Sequence, residues 1–202
     1  MIGEVVERQL AWIGSSYDDL KALPRPVQRE FGIVLRIAQL KQTPRIARPL
    51  KGFGGAGVLE LKDDFDGDTY RAAYTVRLQR AAGRTGRSRR DCEMRTKEKV
   101  RFGSANVFAD LEFENPEEEL IRADLAAKVD ALLSDREGTQ KAIGQRLGLG
   151  QSEVSDLMRG RYGRFSIDRL LRILTRLGCK VDLKVTAPRR PGVLGRMTIR
   201  AA

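Results

Sequence analysis

The chain has 202 residues, of which 41% are hydrophobic, and this is enough apolar material for one or two folded domains. Its net charge of +11 favours an anionic partner. No apolar run approaches the roughly 20 residues that span a bilayer, the first residues do not form a secretion signal, and the two cysteines match no metal or disulfide spacing. We therefore expect a cytoplasmic protein with no cofactor, no metal site and no membrane contact.

The first third of the chain has the pattern of an α+β unit. Leu10 to Ile13 is a candidate short strand, and one helical turn follows it. A longer amphipathic helix is predicted from Val27 to about Leu40, because its apolar residues recur at every fourth position. Two strand-like segments, Val58–Leu61 and Tyr70–Leu78, flank an Asp-Gly turn, which is typical of a β-hairpin.

This first part resembles, over its roughly 80 residues, the RelE/HigB-type toxins of bacterial toxin–antitoxin pairs. The segments that carry the resemblance are SSYDDLKALP, the helix through Phe31, PLKGFGGAGVLEL and DTYRAAYTVRL. Such toxins are ribosome-dependent mRNA interferases with a small twisted sheet backed by two helices. The resemblance implies that Lys51, Arg71 and Arg77 face RNA. Solvated side chains on a hairpin are an equally good interpretation of these three cations.

The resemblance ends after Arg80, where AAGRTGRSRRDCE offers no apolar run long enough for a further strand. The chain also contains no His, although general acid–base cleavage of RNA needs a positioned proton donor or acceptor. We therefore interpret residues 1–81 as a truncated toxin-like domain without catalytic residues. Residues 82–103 are interpreted as a basic linker, either a simple tether or an arm that binds nucleic acid.

Thr139 to Arg161 predicts two short helices joined by a tight turn. Thr139 can cap the first helix, and Gly148 can end it in a conformation with positive φ. Gly144 lacks a side chain at the point where the second helix would cross the first. Such a pair is either a helical hairpin within a bundle or a helix-turn-helix, whose second helix enters the major groove of DNA.

Polar residues on the outward side of the second helix favour the helix-turn-helix. Their side chains can contact base edges or phosphates. Basic charge agrees with this interpretation, since residues 138–187 carry 10 basic and 4 acidic side chains whereas residues 104–137 carry 3 and 10. The predicted DNA-binding residues are Gln140, Gln151, Ser152, Ser155, Arg159, Arg161 and Arg164.

The same stretch resembles the Xre/Cro-type helix-turn-helix of phage repressors and antitoxins. The matching residues are Thr139, Gln140, Ile143, Leu147, Gly148, Val154, Ser155, Leu157, Arg159 and Gly160. The wider segment NVFADL…LSDREGTQ…LLRILTRLGCKVDLKV resembles HigA-type antitoxins. The resemblance implies an antitoxin-type regulator that represses its own operon.

Helices are also predicted on both sides of this motif, from Pro116 to about Ser134 and after Ser166. Lys180 to Val185 alternates polar and apolar residues as a half-buried strand does. A lone strand needs a partner for its backbone groups. Either a second copy pairs with it across a two-fold axis, giving a homodimer, or it packs against the toxin-like part. Residues 188–202 are a basic tail.

The predicted fold class is therefore an α+β toxin-like remnant followed by a mainly α, lambda-repressor-like helix-turn-helix domain at 104–187 with a terminal strand. The predicted function is sequence-specific binding of double-stranded operator DNA, with a toxin as a further expected partner. The alternative is a toxin–antitoxin fusion whose first half is an mRNA interferase inhibited in cis. A third interpretation is that the toxin-like half only occupies an antitoxin surface.

Overall fold

The fold is described by a computed structural model that covers residues 7–51, 57–76, 99–134, 139–182 and 184. Its first part is α+β and its second part is helical, as the sequence predicts. The first part consists of β1 (Ala11–Ile13), α1 (Ser16–Ala22), α2 (Arg25–Gln39), β2 (Arg48–Pro49), β3 (Val58–Phe65) and β4 (Asp68–Thr75). The predicted short strand, both helices and the hairpin are confirmed.

The hairpin of β3 and β4 forms because its turn residues suit a two-residue connection. The strands pair antiparallel from Val58 opposite Thr75 to Phe65 opposite Asp68. The turn residues Asp66 and Gly67 have φ angles of 52° and 85°. Positive φ at both central positions matches the right-handed twist of the flanking strands. The two-residue strand β2 adds to the other side of β3, which gives the order β2-β3-β4.

A second, two-stranded sheet joins distant parts of the chain. The strand β5 (Val100–Phe102) pairs antiparallel with β1, with Trp12 opposite Arg101. This differs from the prediction that residues 82–103 are all linker, because the last residues of that segment complete a sheet with the start of the chain. Residues 82–98, the larger part of the predicted linker, lie outside the described residues.

The second part consists of α3 (Val107–Asp110), α4 (Pro116–Ser134), α5 (Gln140–Leu147), α6 (Gln151–Arg159) and α7 (Ile167–Arg176). Where the sequence predicts a strand from Lys180, residues 180–182 and 184 adopt no regular secondary structure in the single chain. Leu183, Val185 and the predicted tail from 188 lie outside the described residues. Within those residues, no helix is long and apolar enough to cross a membrane, and no cluster of His, Cys, Asp and Glu could hold a metal ion.

Both parts share one hydrophobic core, which differs from the prediction of two units separated by a tether. The helix α2 packs against α4 and α3. Its side chains Val27, Phe31 and Ile33 are fully buried, because they lie on the wide apolar side of the helix that faces this core. A Cβ on Gly32 would lie 2.6 Å from the Phe108 ring, so glycine permits the close approach of α2 and α3.

Two ion pairs across the same contact engage carboxylates of the acidic segment 104–137. The Arg29 guanidinium lies 2.9 Å from the Glu119 carboxylate, and Arg36 Nε lies 2.7 Å from Asp124. Arg25 donates a hydrogen bond to the backbone oxygen of Leu111. These carboxylates of α4 therefore face the arginines of α2. Their charges balance within the molecule.

Candidate nucleic-acid interface

The first helix of the predicted motif is bounded as its sequence indicates. The Thr139 hydroxyl accepts a hydrogen bond from the Ala142 N–H at 3.3 Å. At the other end Gly148 has a φ of 58°, and the Leu149 N–H donates to the Gly144 oxygen at 3.0 Å. These contacts satisfy backbone groups that a helix end leaves unpaired. The predicted bounds of α5 are confirmed.

The second helix crosses the first where a side chain is missing. A Cβ on Gly144 would lie 2.8 Å from Val154 Cγ2, so a larger residue would force the helices apart. Gly150 cannot cap α6 with a side chain, but the Glu153 carboxylate accepts a hydrogen bond from the Gly150 N–H at 3.0 Å. Arg169 of α7 lies 2.7 Å from the same carboxylate and lowers the pKa of Glu153. The helix-turn-helix is thereby tied to α7.

The two sides of α6 differ in burial. Val154 and Leu157 face the core and are buried. Four predicted DNA-binding residues lie on the outward side, where Gln151, Ser152 and Arg159 are exposed and Ser155 is half-buried. Gln140 is exposed at the start of α5. The structure therefore brings the predicted base-reading side chains together on one accessible helix face.

The loop that leaves α6 is less exposed than its basic sequence suggests. Tyr162 is fully buried, and its hydroxyl donates a hydrogen bond of 2.7 Å to Asp130 on α4. Burial, together with this carboxylate, raises the pKa of Tyr162 well above its ordinary value. The N–H groups of Tyr162 and Gly163 donate to the Glu30 carboxylate of α2, at 2.9 and 2.6 Å. Burial raises the pKa of Glu30 to about 7.

Arg161, one of the predicted DNA-binding residues, lies against the hairpin of β3 and β4. Its Nε lies 3.4 Å from the Asp63 carboxylate, and its Nη2 lies 3.3 Å from that of Asp64. Only 18% of its side chain is exposed. Arg161 is therefore engaged by the hairpin, and it must leave these acids before it can reach DNA. Arg164, in contrast, is 71% exposed and lies 3.8 Å from Asp156.

Two of the three cations that the toxin resemblance places on an RNA-facing side lie within the described residues. Lys51 is exposed and lies two residues after the end of β2. The Arg71 guanidinium lies 2.8 Å from the Glu60 carboxylate on the neighbouring strand, so its charge is already balanced. Arg77 lies outside the described residues.

Sequence reasoning missed the carboxylates that hold the loop after α6, which are Glu30, Asp63 and Asp130. One available signal was the position of Glu30, because it lies in the apolar part of α2 beside Phe31. A charged residue within a buried stripe must find partners, and buried charges are seldom left unpaired. The partners of Glu30, the N–H groups of Tyr162 and Gly163, are more than 130 residues away in the chain and had no local signal.

Two separate parts of the chain match models of known families. Residues 107–186 match the family model of a helix-turn-helix domain, and residues 18–83 match the model of the phage derived protein Gp49-like family. A solved chain described as a candidate XRE-family transcriptional regulator is 28% identical, covers 44% of this chain and 99% of its own, and has a TM-score of 0.37. No curated protein matches the chain. The protein therefore carries a helix-turn-helix domain preceded by a Gp49-like segment.

Proposed function

We propose that the protein is a sequence-specific DNA-binding transcriptional regulator of the toxin–antitoxin type. The observation that carries the proposal is the outward side of α6. Among the described residues, no hydrogen bond or ion pair engages the side chains of Gln151, Ser152 or Arg159, whereas the opposite side of the helix is buried. These are the groups that contact base edges and phosphates in a major groove.

In this proposal the protein represses transcription by occupying its operator. A homodimer formed through Lys180 to Val185 would place two recognition helices about one helical turn apart, near ~34 Å, on a palindromic operator. If that operator overlaps the promoter of the protein's own operon, the bound dimer excludes RNA polymerase. Exposed cations near α6, such as Lys141 and Arg164, support binding through attraction to phosphates.

The N-terminal half has a structural role in this proposal. Its α2 is buried against α3 and α4, so the toxin-like half occupies a surface of the helix-turn-helix domain within one chain. We propose further that this half derives from a RelE/HigB-type toxin and the other half from a HigA-type antitoxin. A separate toxin is a further proposed partner. The Gp49-like match supports a unit distinct from the helix-turn-helix domain.

The alternative is an mRNA interferase that the second half inhibits. An assay with translating ribosomes and mRNA, run on the intact protein and on residues 1–103 without the helix-turn-helix domain that would inhibit them, separates the two functions. We expect no cleavage, because Arg71 is paired with Glu60 and the chain has no His. Cleavage that disappears in Arg71→Ala would instead establish the interferase.

The direct test of the proposed function is footprinting on the DNA upstream of the gene. We expect protection of a palindromic site with half-sites separated by about one helical turn. A fragment of scrambled sequence and equal length is the control. Equal binding to both fragments would contradict sequence-specific regulation.

A further inference from the structure

Four consecutive residues after the recognition helix α6 contact the N-terminal half of the same chain. Gly160 lies against the loop before β2, where a Cβ would be 3.0 Å from the backbone nitrogen of Ile46. Arg161 pairs with Asp63 and Asp64 of the hairpin. Tyr162 and Gly163 donate their N–H groups to Glu30. The exit from α6 is thus held on several sides by a unit that lies before the helix-turn-helix domain.

The contact with Glu30 is the most specific of these. Only 4% of the Glu30 residue is exposed, and its two carboxylate oxygens accept from two successive backbone N–H groups. A Cβ on Gly163 would lie 2.7 Å from Glu30 Oε2, so a larger residue at that position would require the Glu30 carboxylate to shift. Both partners therefore fit one another in shape and in hydrogen bonding.

The loop is anchored on its other side by Tyr162, whose buried hydroxyl binds Asp130 of α4. The helix α4 packs in turn on α2, which carries Glu30. Glu30 and Asp130 thus hold Tyr162 between two helices of the common core. The orientation of α6 follows from this arrangement as well as from its packing on α5.

We propose that Glu30 is a positioning residue for DNA recognition and that the N-terminal half is an intramolecular brace for α6. This inference rests on the proposed function, in which α6 reads bases. Base contacts require the helix to be held close to one geometry, whereas phosphate contacts depend mainly on charge. Loss of the brace therefore lowers the preference for operator over other DNA more than it lowers binding to DNA in general.

Three variants of the full chain test the brace. Glu30→Gln keeps the size of the side chain but offers one acceptor oxygen to two N–H donors. Gly163→Ala leaves Glu30 unchanged and places a methyl group against its carboxylate. Glu112→Gln is the matched control, because Glu112 makes another ion pair between the two halves, 2.6 Å from Lys21, without contact to the loop.

The first measurement is amide hydrogen exchange in the free protein, resolved at Tyr162 and Gly163. We expect exchange of these two amides to accelerate at least about tenfold in Glu30→Gln and Gly163→Ala, since their protection depends on the closed loop. Glu112→Gln should leave it unchanged. Unaltered exchange in both loop variants would overturn the brace.

The second measurement is the ratio of affinities for operator and scrambled DNA, taken where thermal unfolding shows each variant to be folded. We expect this ratio to fall about tenfold or more in the two loop variants and to be unchanged in the control. Partial unfolding alone would weaken both affinities equally and leave the ratio intact. Accelerated exchange with an unchanged ratio would overturn the role of Glu30 in recognition.

Equal affinities of the wild type for operator and scrambled DNA would refute the proposed function. The role of Glu30 in DNA recognition would be refuted as well. The exchange measurement would then still show whether Glu30 holds the loop, so the two failures are distinguishable.

Discussion

Arg161, directly after the recognition helix and its terminal glycine, lies 3.4 Å from the Asp63 carboxylate on β3 of the hairpin. The contact joins two segments almost 100 residues apart and removes a cation from the surface expected to meet phosphate. Asp64 shares the guanidinium at 3.3 Å. We therefore expect the hairpin to limit how much of the positive charge after α6 is available to DNA.

Replacing both acids by Asp63→Asn and Asp64→Asn should release Arg161. We expect tighter binding to DNA of any sequence and a salt dependence that is steeper by about one phosphate contact. The measurement is affinity as a function of salt concentration. Glu60→Gln is the control, because Glu60 is a hairpin acid that pairs with Arg71 instead. An identical slope in the double variant and the wild type would show that Arg161 does not reach phosphate.

The buried hydroxyl of Tyr162 allows a test of the contact between the loop and α4. Tyr162→Phe should lower the free energy of unfolding by about 1–3 kcal/mol, because the buried Asp130 carboxylate loses the hydrogen bond from the Tyr162 hydroxyl. Tyr74→Phe is the control, since the buried Tyr74 hydroxyl has no hydrogen-bond partner among the described residues. That change should be neutral or slightly stabilising. Equal effects of the two substitutions in urea unfolding would contradict this account.

The raised pKa of Glu30 predicts a pH dependence of stability. Its folded-state pKa is about 7 against an ordinary value of 4.5, so the folded protein binds this proton more tightly than the unfolded chain does. The contribution of this bound proton to the free energy of unfolding is fully present below the ordinary pKa. It is lost as pH rises through about 7, which lowers the free energy of unfolding by about 3 kcal/mol. Asp63 and Arg161 are the charged groups that act on it from the hairpin and the loop.

Urea unfolding of the wild type and of Glu30→Gln at about pH 5 and about pH 8 measures this effect. We expect the wild type to lose stability relative to the variant between the two pH values. Carboxyl groups on which Glu30 does not act, such as Asp130, cancel in the comparison. A constant difference between wild type and variant would show that Glu30 does not titrate in this range.

The segment Lys180 to Val185 is the proposed site of pairing between two copies of the chain. Leu183→Pro removes a backbone donor from the proposed strand pair, so we expect a monomer with much weaker operator binding. Sedimentation and DNA affinity at the same protein concentrations are the measurements. Lys184→Pro is the control, because the N–H groups of successive residues point to opposite edges of a strand and only one edge pairs with the second copy. An unaltered protein that is monomeric where it binds operator would refute the dimer.

Local signals made the helix-turn-helix predictable from sequence. The cap at Thr139, the positive φ at Gly148 and the missing side chain at Gly144 each act within ten residues of their partners. The pairing of β1 with β5 was not predictable in the same way, because nothing near Trp12 specifies Arg101 as its neighbour. The same limit applies to Arg161, which is a typical phosphate contact by sequence and an ion-pair partner of the hairpin in three dimensions.

We propose that the outward side of α6 reads DNA sequence. A substitution of Gln151, which lies on that side, is the sharpest test. The measurement is the affinity of Gln151→Ala for the operator and for operators changed at each base pair, beside Gln145→Ala, a change of the same residue type at an exposed position of α5. We predict that Gln151→Ala weakens operator binding by about 1–3 kcal/mol and relaxes the preference at one base pair, while Gln145→Ala retains it. An operator preference that is the same in Gln151→Ala as in the wild type would contradict the claim.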